Sequence, residues 1–174
     1  MVLWRKFIPH YGEKMENNTA IELDRIDARI LTALQANADQ AIAELSESIG
    51  LSANACWRRI KRLEEMGIIR GRVALLDAAK LNLGVTVFVA IRTNEHNDAW
   101  LQKFNAAVEQ IPEIVELYRM SGDVDYLMKV AVSSIAHYDQ VYKRLIKLVK
   151  LTDVSSTFAM EQMKYTTALP VSPS

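Results

Sequence analysis

Gly50-Leu51-Ser52-Ala53-Asn54-Ala55-Cys56-Trp57-Arg58-Arg59-Ile60-Lys61-Arg62-Leu63-Glu64-Glu65-Met66-Gly67 is the stretch on which the reading of this chain turns. Ser52 has the short oxygen-bearing side chain that caps a helix, and Gly67 can take the left-handed conformation that ends one, so a helix is predicted over Ala53–Met66. At about 100° per residue, Cys56, Ile60 and Leu63 share one side, while Asn54, Arg58, Lys61 and Arg62 share the other. One side is a core face and the opposite side is polar and cationic.

Upstream, Asp24 is placed to cap a helix running through Asn37, on which Leu23, Ile26, Ile30, Ala33 and Leu34 recur at helical spacing. A shorter helix ends at Ile49, with Leu45 and Ile49 inward; Gly50 closes it, and Ala41 is a poor cap for its start. Only Gly50, Leu51 and Ser52 separate it from the third helix. Two short helices joined by a tight Gly-containing turn and packed on a preceding helix make a helix-turn-helix. Downstream, Ile68, Ile69, Arg70, Gly71, Arg72 and Val73 read as two short strand pieces about a glycine turn, the wing of a winged helix-turn-helix.

The chain carries 21 Lys plus Arg against 21 Asp plus Glu, so any nucleic-acid surface has to come from clustering. Between Ser52 and Arg72, Arg58, Arg59, Lys61, Arg62, Arg70 and Arg72 stand against only Glu64 and Glu65. Base edges are read by short hydrogen-bonding groups and arginine near a helix N-terminus, and phosphates are held by cations around it. Ser52, Asn54, Ala55 and Arg58 occupy that end. Arg70 and Arg72 flank the wing turn, and Arg59, Lys61 and Arg62 complete the cationic set facing double-stranded DNA. An isolated cationic helix is more often simply solvated; the three-helix setting favours DNA here. Trp57 is expected to pack on the first helix rather than flank the DNA.

In the second half, Val85–Arg92 reads as a strand and Ala99–Gln110 as a helix stopped by Pro112. Ile114–Met120 and Tyr126–Val132 read as strands joined through Ser121-Gly122-Asp123-Val124-Asp125, followed by a helix from Ile135 to Val149 and a strand over Val154–Glu161. The order βαββαβ is the ferredoxin-like arrangement, with both helices on one face of an antiparallel sheet. The first strand is apolar on both sides, including Phe88 and Ala90, so the face without helices needs a cover, most simply the sheet of a second copy. The fold class expected is α+β. Its parts are an N-terminal extension (1–21), the winged helix-turn-helix (22–74), a linker (75–83), the ferredoxin-like domain (84–169) and a frayed tail (170–174).

A single cysteine, Cys56, allows neither an intramolecular disulfide framework nor a four-cysteine zinc site, and its helical position makes it a core residue. His10, His96 and His137 have no metal-ligand spacing, and there is no Gly-rich phosphate loop or nucleophile elbow, so no enzyme, cofactor or metal is expected. Arg5, Lys6, Glu13, Lys14 and Glu16 interrupt the leading segment, which therefore reads as neither secretory nor membrane-spanning and suggests a cytoplasmic protein.

Over Leu23 to Pro170 the sequence resembles the Lrp/AsnC (feast/famine) family of transcriptional regulators. The segments that carry the resemblance are Leu23-Asp24-Arg25-Ile26-Asp27, Gly50-Leu51-Ser52, Cys56-Trp57-Arg58-Arg59-Ile60, Arg62-Leu63-Glu64, Ser121-Gly122-Asp123 and Asp125-Tyr126. The resemblance implies DNA binding by the first domain, dimers and often octamers through the second, and free amino acids as effectors beside the hairpin at Gly122, Asp123, Asp125 and Tyr126. There Asp123 and Asp125 would take the ammonium, and backbone N–H groups beside Gly122 the carboxylate. Turn chemistry alone also accounts for Gly and Asp at such a place. Phe158-Ala159-Met160-Glu161-Gln162 and Tyr165-Thr166-Thr167, with Cys56-Trp57, resemble the branch linked to cysteine. Two departures stand out: Lys150-Leu151-Thr152 replaces the family's Pro-Gly, and the segment before Leu23 is long, with Met15 a second candidate start. The expected function is a sequence-specific, amino-acid-responsive regulator; the alternative is an architectural DNA-binding protein with little sequence preference and no effector.

Overall fold

The computed structural model describes residues 22–95 and 97–173; the N-terminal extension with His10, His96 and Ser174 lie outside them. The chain forms two compact units, one of residues up to Ala74 together with those from Tyr165, the other of Leu75–Lys164.

In the first unit, α1 (Arg25–Ala36), α2 (Ile42–Ile49) and α3 (Ala53–Glu65) enclose Ile30, Leu31, Leu45, Ile49, Cys56, Ile60 and Leu63. Their ends follow local chemistry. Asp24 and Asp27 form a capping box: the Asp27 N–H donates to Asp24 Oδ1 at 2.7 Å, and the Asp24 N–H to Asp27 Oδ2 at 3.4 Å. Ala41 gives α2 no side-chain cap, and Gly50 ends the helix at φ 77°, a conformation that favours glycine. Ser52 Oγ accepts the Ala55 N–H at the start of α3. Burial pushes the Cys56 thiol up, so it behaves as a small apolar core group.

This unit departs from the sequence-based expectation at three places. The wing has no ladder: the described residues contain no strand between α3 and Val85. The Ile68 and Ile69 N–H groups both donate to the Leu63 carbonyl at 3.0 and 3.1 Å, which folds Ile68 and Ile69 back onto the helical core. Arg70 to Val73 then run out exposed. Trp57 is 48% exposed rather than packed on α1. The C-terminal tail is docked, not frayed: Val171 packs against the three-helix core, and Gln35 exchanges two hydrogen bonds with the Leu169 backbone at 2.6 and 3.1 Å.

The second unit begins with a helical turn in the expected linker, where Asp77 Oδ1 accepts the Ala79 and Lys80 N–H groups. Then follow β1 (Val85–Arg92), α4 (Asp98–Glu109), β2 (Ile114–Arg119), β3 (Tyr126–Val132), α5 (Ile135–Leu148) and β4 (Asp153–Phe158). The sheet order is β2-β3-β1-β4, antiparallel throughout. Val87, Val89 and Ile91 of β1 and Tyr126, Met128, Val130 and Val132 of β3 face Trp100, Phe104, Val141 and Leu145 from the helices. β4 stops at Phe158 rather than Glu161; the Ala159 N–H still donates to the Thr86 carbonyl at 2.9 Å, one residue from the start of β1. The Trp100 indole N–H donates to the Lys150 carbonyl at 3.1 Å, which anchors the loop that departs from the family's Pro-Gly.

The helix-free face carries Phe88, Ala90, Leu127 and Ala131, but it is less apolar than alternation suggests. Lys129, opposite Phe88, donates to Glu116 at 2.8 Å, and the Tyr118 hydroxyl donates to the same carboxylate at 2.6 Å. Phe88 remains 40% and Tyr118 50% exposed.

Candidate nucleic-acid interface and effector hairpin

α3 sorts its cations by the partners its neighbours provide. Arg59 and Arg62 lie one turn apart on the flank toward the start of α1. Arg59 Nη1 donates to Asp24 Oδ2 at 2.5 Å and to Asp27 Oδ1 at 2.8 Å, and Arg62 pairs with Asp27 Oδ2. The Asp27 side chain is fully buried. Asp24 accepts the Asp27 N–H and the Arg59 guanidinium, which together hold its carboxyl below its ordinary value of 3.8. On the other flank Glu64 pairs with Lys61 at 2.8 Å and with Arg72 at 3.2 Å; the Lys61 ammonium, then Arg72, hold its carboxyl low. The Arg72–Glu64 pair adds a side-chain tie between the wing segment and α3 to the backbone bonds of Ile68 and Ile69.

Arg58 is different. It is exposed, lies directly opposite Cys56 and Leu63 on the helix, and pairs with no carboxylate among the described residues. Asn54 and Trp57 are its exposed neighbours, whereas the Ser52 hydroxyl is engaged as the cap and Ala55 is half-buried. Glu64 and Glu65 close the C-terminal end, so the outer face of α3 is cationic toward its N-terminal half. Of the nine positions singled out from sequence, the structure thus brings Asn54 and Arg58 together unencumbered, commits Arg59 and Arg62 to α1, and links Lys61 and Arg72 through Glu64. Arg70 is exposed on the extended segment.

In the second unit the β2–β3 connection is pinned to the end of β1. The Asp125 N–H donates to the Ile91 carbonyl at 3.0 Å, and Asp125 Oδ2 accepts the Thr93 N–H at 2.8 Å. Gly122 has φ 116°, and a Cβ built there meets nothing within 4 Å, so the hairpin needs glycine for its backbone and has open space above it. Asp123 is exposed. Tyr126 is not: it is 7% exposed and its ring packs on Trp100 and Phe104, which places it beneath the hairpin. Sequence reading missed Arg92, whose Nε donates to the Asp123 carbonyl at 2.6 Å and whose Nη1 donates to Asp153 at 2.8 Å; no local signal links it to a hairpin 31 residues away. A surface depression of about 250 Å³ beside Trp100, Lys103 and Lys150 includes none of the hairpin residues.

A three-helix unit with a cationic recognition helix, joined to a four-stranded ligand-binding type of domain, defines a two-domain DNA-binding regulator. The chain belongs to the Lrp/AsnC family: the Lrp/AsnC ligand binding domain matches residues 86–169 and the winged helix-turn-helix DNA-binding domain residues 23–70. It is 54% identical over 150 residues to the glutamate uptake regulatory protein of Zymomonas mobilis, covering 86% of this chain and 92% of that one. It is 47% identical to the DNA-binding transcriptional activator DecR of Escherichia coli, covering 86% and 99%. An AsnC family transcriptional regulator from Agrobacterium tumefaciens superimposes with a TM-score of 0.82 at 56% identity, over 85% of this chain and 97% of that one. A Neisseria meningitidis transcriptional regulator in complex with L-Met gives 0.80 at 34% identity, over 85% and 96%. Among the described residues no helix is long and apolar enough to cross a membrane.

Proposed function

We propose that this chain is a sequence-specific transcriptional regulator, not an enzyme, that acts in the cytoplasm on promoter DNA. It works as a dimer that assembles further, and its DNA affinity or assembly responds to a free amino acid, cysteine being the first to test. The observation that carries this reading is Arg58, an exposed arginine without a carboxylate partner among the described residues, on a helix whose other cations are tied back. A free, forked guanidinium near a recognition-helix N-terminus is the group that reads guanine in a major groove. The bound L-Met of the Neisseria relative supports the effector part, as does the open hairpin.

The deciding experiment measures binding to the DNA upstream of the protein's own gene and to random DNA across a salt titration, with each common amino acid added in turn. Strong preference for the upstream DNA at physiological salt, altered by one or a few amino acids, is the expected result. Equal binding to both DNAs identifies an architectural protein instead. Arg58→Ala is expected to weaken the specific complex by about 1–3 kcal/mol and relax preference at one base step. Arg62→Ala is expected to weaken all sequences about equally and to flatten the salt slope by about one unit or less, since its guanidinium is shared with Asp27. Equal loss of base discrimination in both variants would overturn this division.

Asp125 needs a two-variant test because it also pins the hairpin. Asp125→Asn keeps an oxygen for the Thr93 N–H and removes the charge, whereas Asp125→Ala removes both. Asp125→Asn is therefore expected to retain thermal stability and effector-free DNA binding while losing the response to the amino acid. Asp125→Ala should in addition lower stability by about 1–2 kcal/mol, the loss of a charged hydrogen bond to a half-buried N–H. A full effector response in Asp125→Asn removes Asp125 from the binding site.

A further inference from the structure

On the reading that the hairpin takes a free amino acid, we propose that Arg92 is the residue that holds the ligand's α-carboxylate. A zwitterionic ligand carries two charged ends, and each loses water when it binds. The hairpin residues supply carboxylates at Asp123 and Asp125, which suit an ammonium group. Tyr126 is buried below. A ligand carboxylate set among those groups with no cation would be repelled. Arg92 is the cation the fold delivers to this place.

The sheet register fixes it there. Arg92 ends β1 opposite Asp153 of β4, and its Nε–H to the Asp123 carbonyl ties the guanidinium to the hairpin itself. The side chain is 55% exposed, so a ligand can reach it. A guanidinium has five N–H donors in a planar fork; the Asp123 and Asp153 contacts use two, and Nη2 makes no hydrogen bond among the described residues. The free edge matches a carboxylate bidentately. Asp125 gives Oδ2 to the Thr93 N–H and keeps Oδ1 for the ammonium. The Arg92–Asp153 pair is half exposed on both sides, so it contributes little to folding, and Asp153 acts as a stand-in carboxylate that the ligand joins or displaces.

The test uses the full-length protein, calorimetry at pH 7, the twenty common L-amino acids and, for the best binder among them, its α-carboxamide. Wild type is expected to prefer the acid over the carboxamide by at least about tenfold. Arg92→Gln should weaken the acid by about ten- to a hundredfold, leave the carboxamide unchanged and so abolish the preference. A purely structural loss would weaken both alike and overturn the assignment. Asp153→Asn, which removes the competing carboxylate, should tighten the acid several-fold with no change for the carboxamide, and it stands in for Arg92→Gln if that variant fails to fold. An unchanged acid preference in Arg92→Gln, or no tightening in Asp153→Asn, overturns the role of Arg92 and leaves the effector reading in place. Failure of wild type to bind any of the twenty overturns both.

Discussion

Asp27→Ala is expected to destabilise the first unit by about 3 kcal/mol, the low end of the range for removing one partner of a buried ion pair. Its carboxylate is fully buried and accepts from Arg59, Arg62 and the Asp24 N–H at once. Truncation removes half of the capping box and leaves two guanidiniums without their shared acceptor. Arg59 and Arg62 are 29% and 49% exposed, so both can turn to water, which keeps the loss from the top of the range. Hydrogen exchange reads the result unit by unit: amides of α1 and α3 should exchange on the order of a hundredfold faster, at about 1.4 kcal/mol per factor of ten, with the sheet of the second unit unchanged. Unaltered exchange in α1 and α3 would show that the helices hold together without Asp27. The same loss releases Arg59 and Arg62 of α3 from α1, so DNA binding should fall although the Asp27 side chain is itself buried.

The acid limb of stability in this unit follows from Asp24. Its folded carboxyl value is depressed, so its contribution is complete above the unfolded value and is lost as pH falls through the lower folded one. The window lies below about pH 4, and the side chain's half exposure keeps the contribution small.

The three-helix unit was legible because its signals are local. Ser52, Gly50 and the spacing of Cys56, Ile60 and Leu63 act within one or two helical turns, and a helix has to satisfy them whatever surrounds it. The strand order was legible for a similar reason, since alternation and the stop at Pro112 are short-range. What escaped were pairings across long stretches of chain. Nothing near Asp27 announces that an acidic residue in an apolar frame will receive two arginines from 32 and 35 residues away, or that Arg58 is the α3 cation left without a carboxylate among the described residues. The wing failed for a physical reason of its own. Gly71 has turn chemistry, but the Ile68 and Ile69 N–H groups are spent on the Leu63 carbonyl, and no strand forms between α3 and Val85 among the described residues. On the open sheet face, alternation identified Phe88 and Leu127, yet Lys129 and Glu116 occupy the same face because they satisfy each other across β3 and β2.

That face leads to the expectation that Phe88→Arg turns the protein into a monomer and lowers its affinity for a two-half-site operator by about 10²–10⁴. Phe88 stands at the middle of β1, between Lys129 of β3 and Thr157 of β4, and is still 40% exposed in one chain. Apolar area of this kind favours burial at roughly 25 cal/mol per Å², and on the proposed pairing a second copy of the same face would supply the apolar contact beside the Lys129–Glu116 pair. An added guanidinium opposite Lys129 breaks that contact twice in a two-fold interface, once from each copy. The side chain points away from the helices, so the unit itself should keep its circular dichroism and its thermal transition. Loss of pairing then reaches DNA binding through geometry alone: two recognition helices on one two-fold axis can engage successive major grooves about 34 Å apart, and a single one cannot. Sedimentation at about ten micromolar, paired with a binding isotherm on an inverted-repeat site, reads both quantities from one preparation; a variant that stays assembled, or a wild type that is monomeric, would mean the face is covered by something other than its own copy.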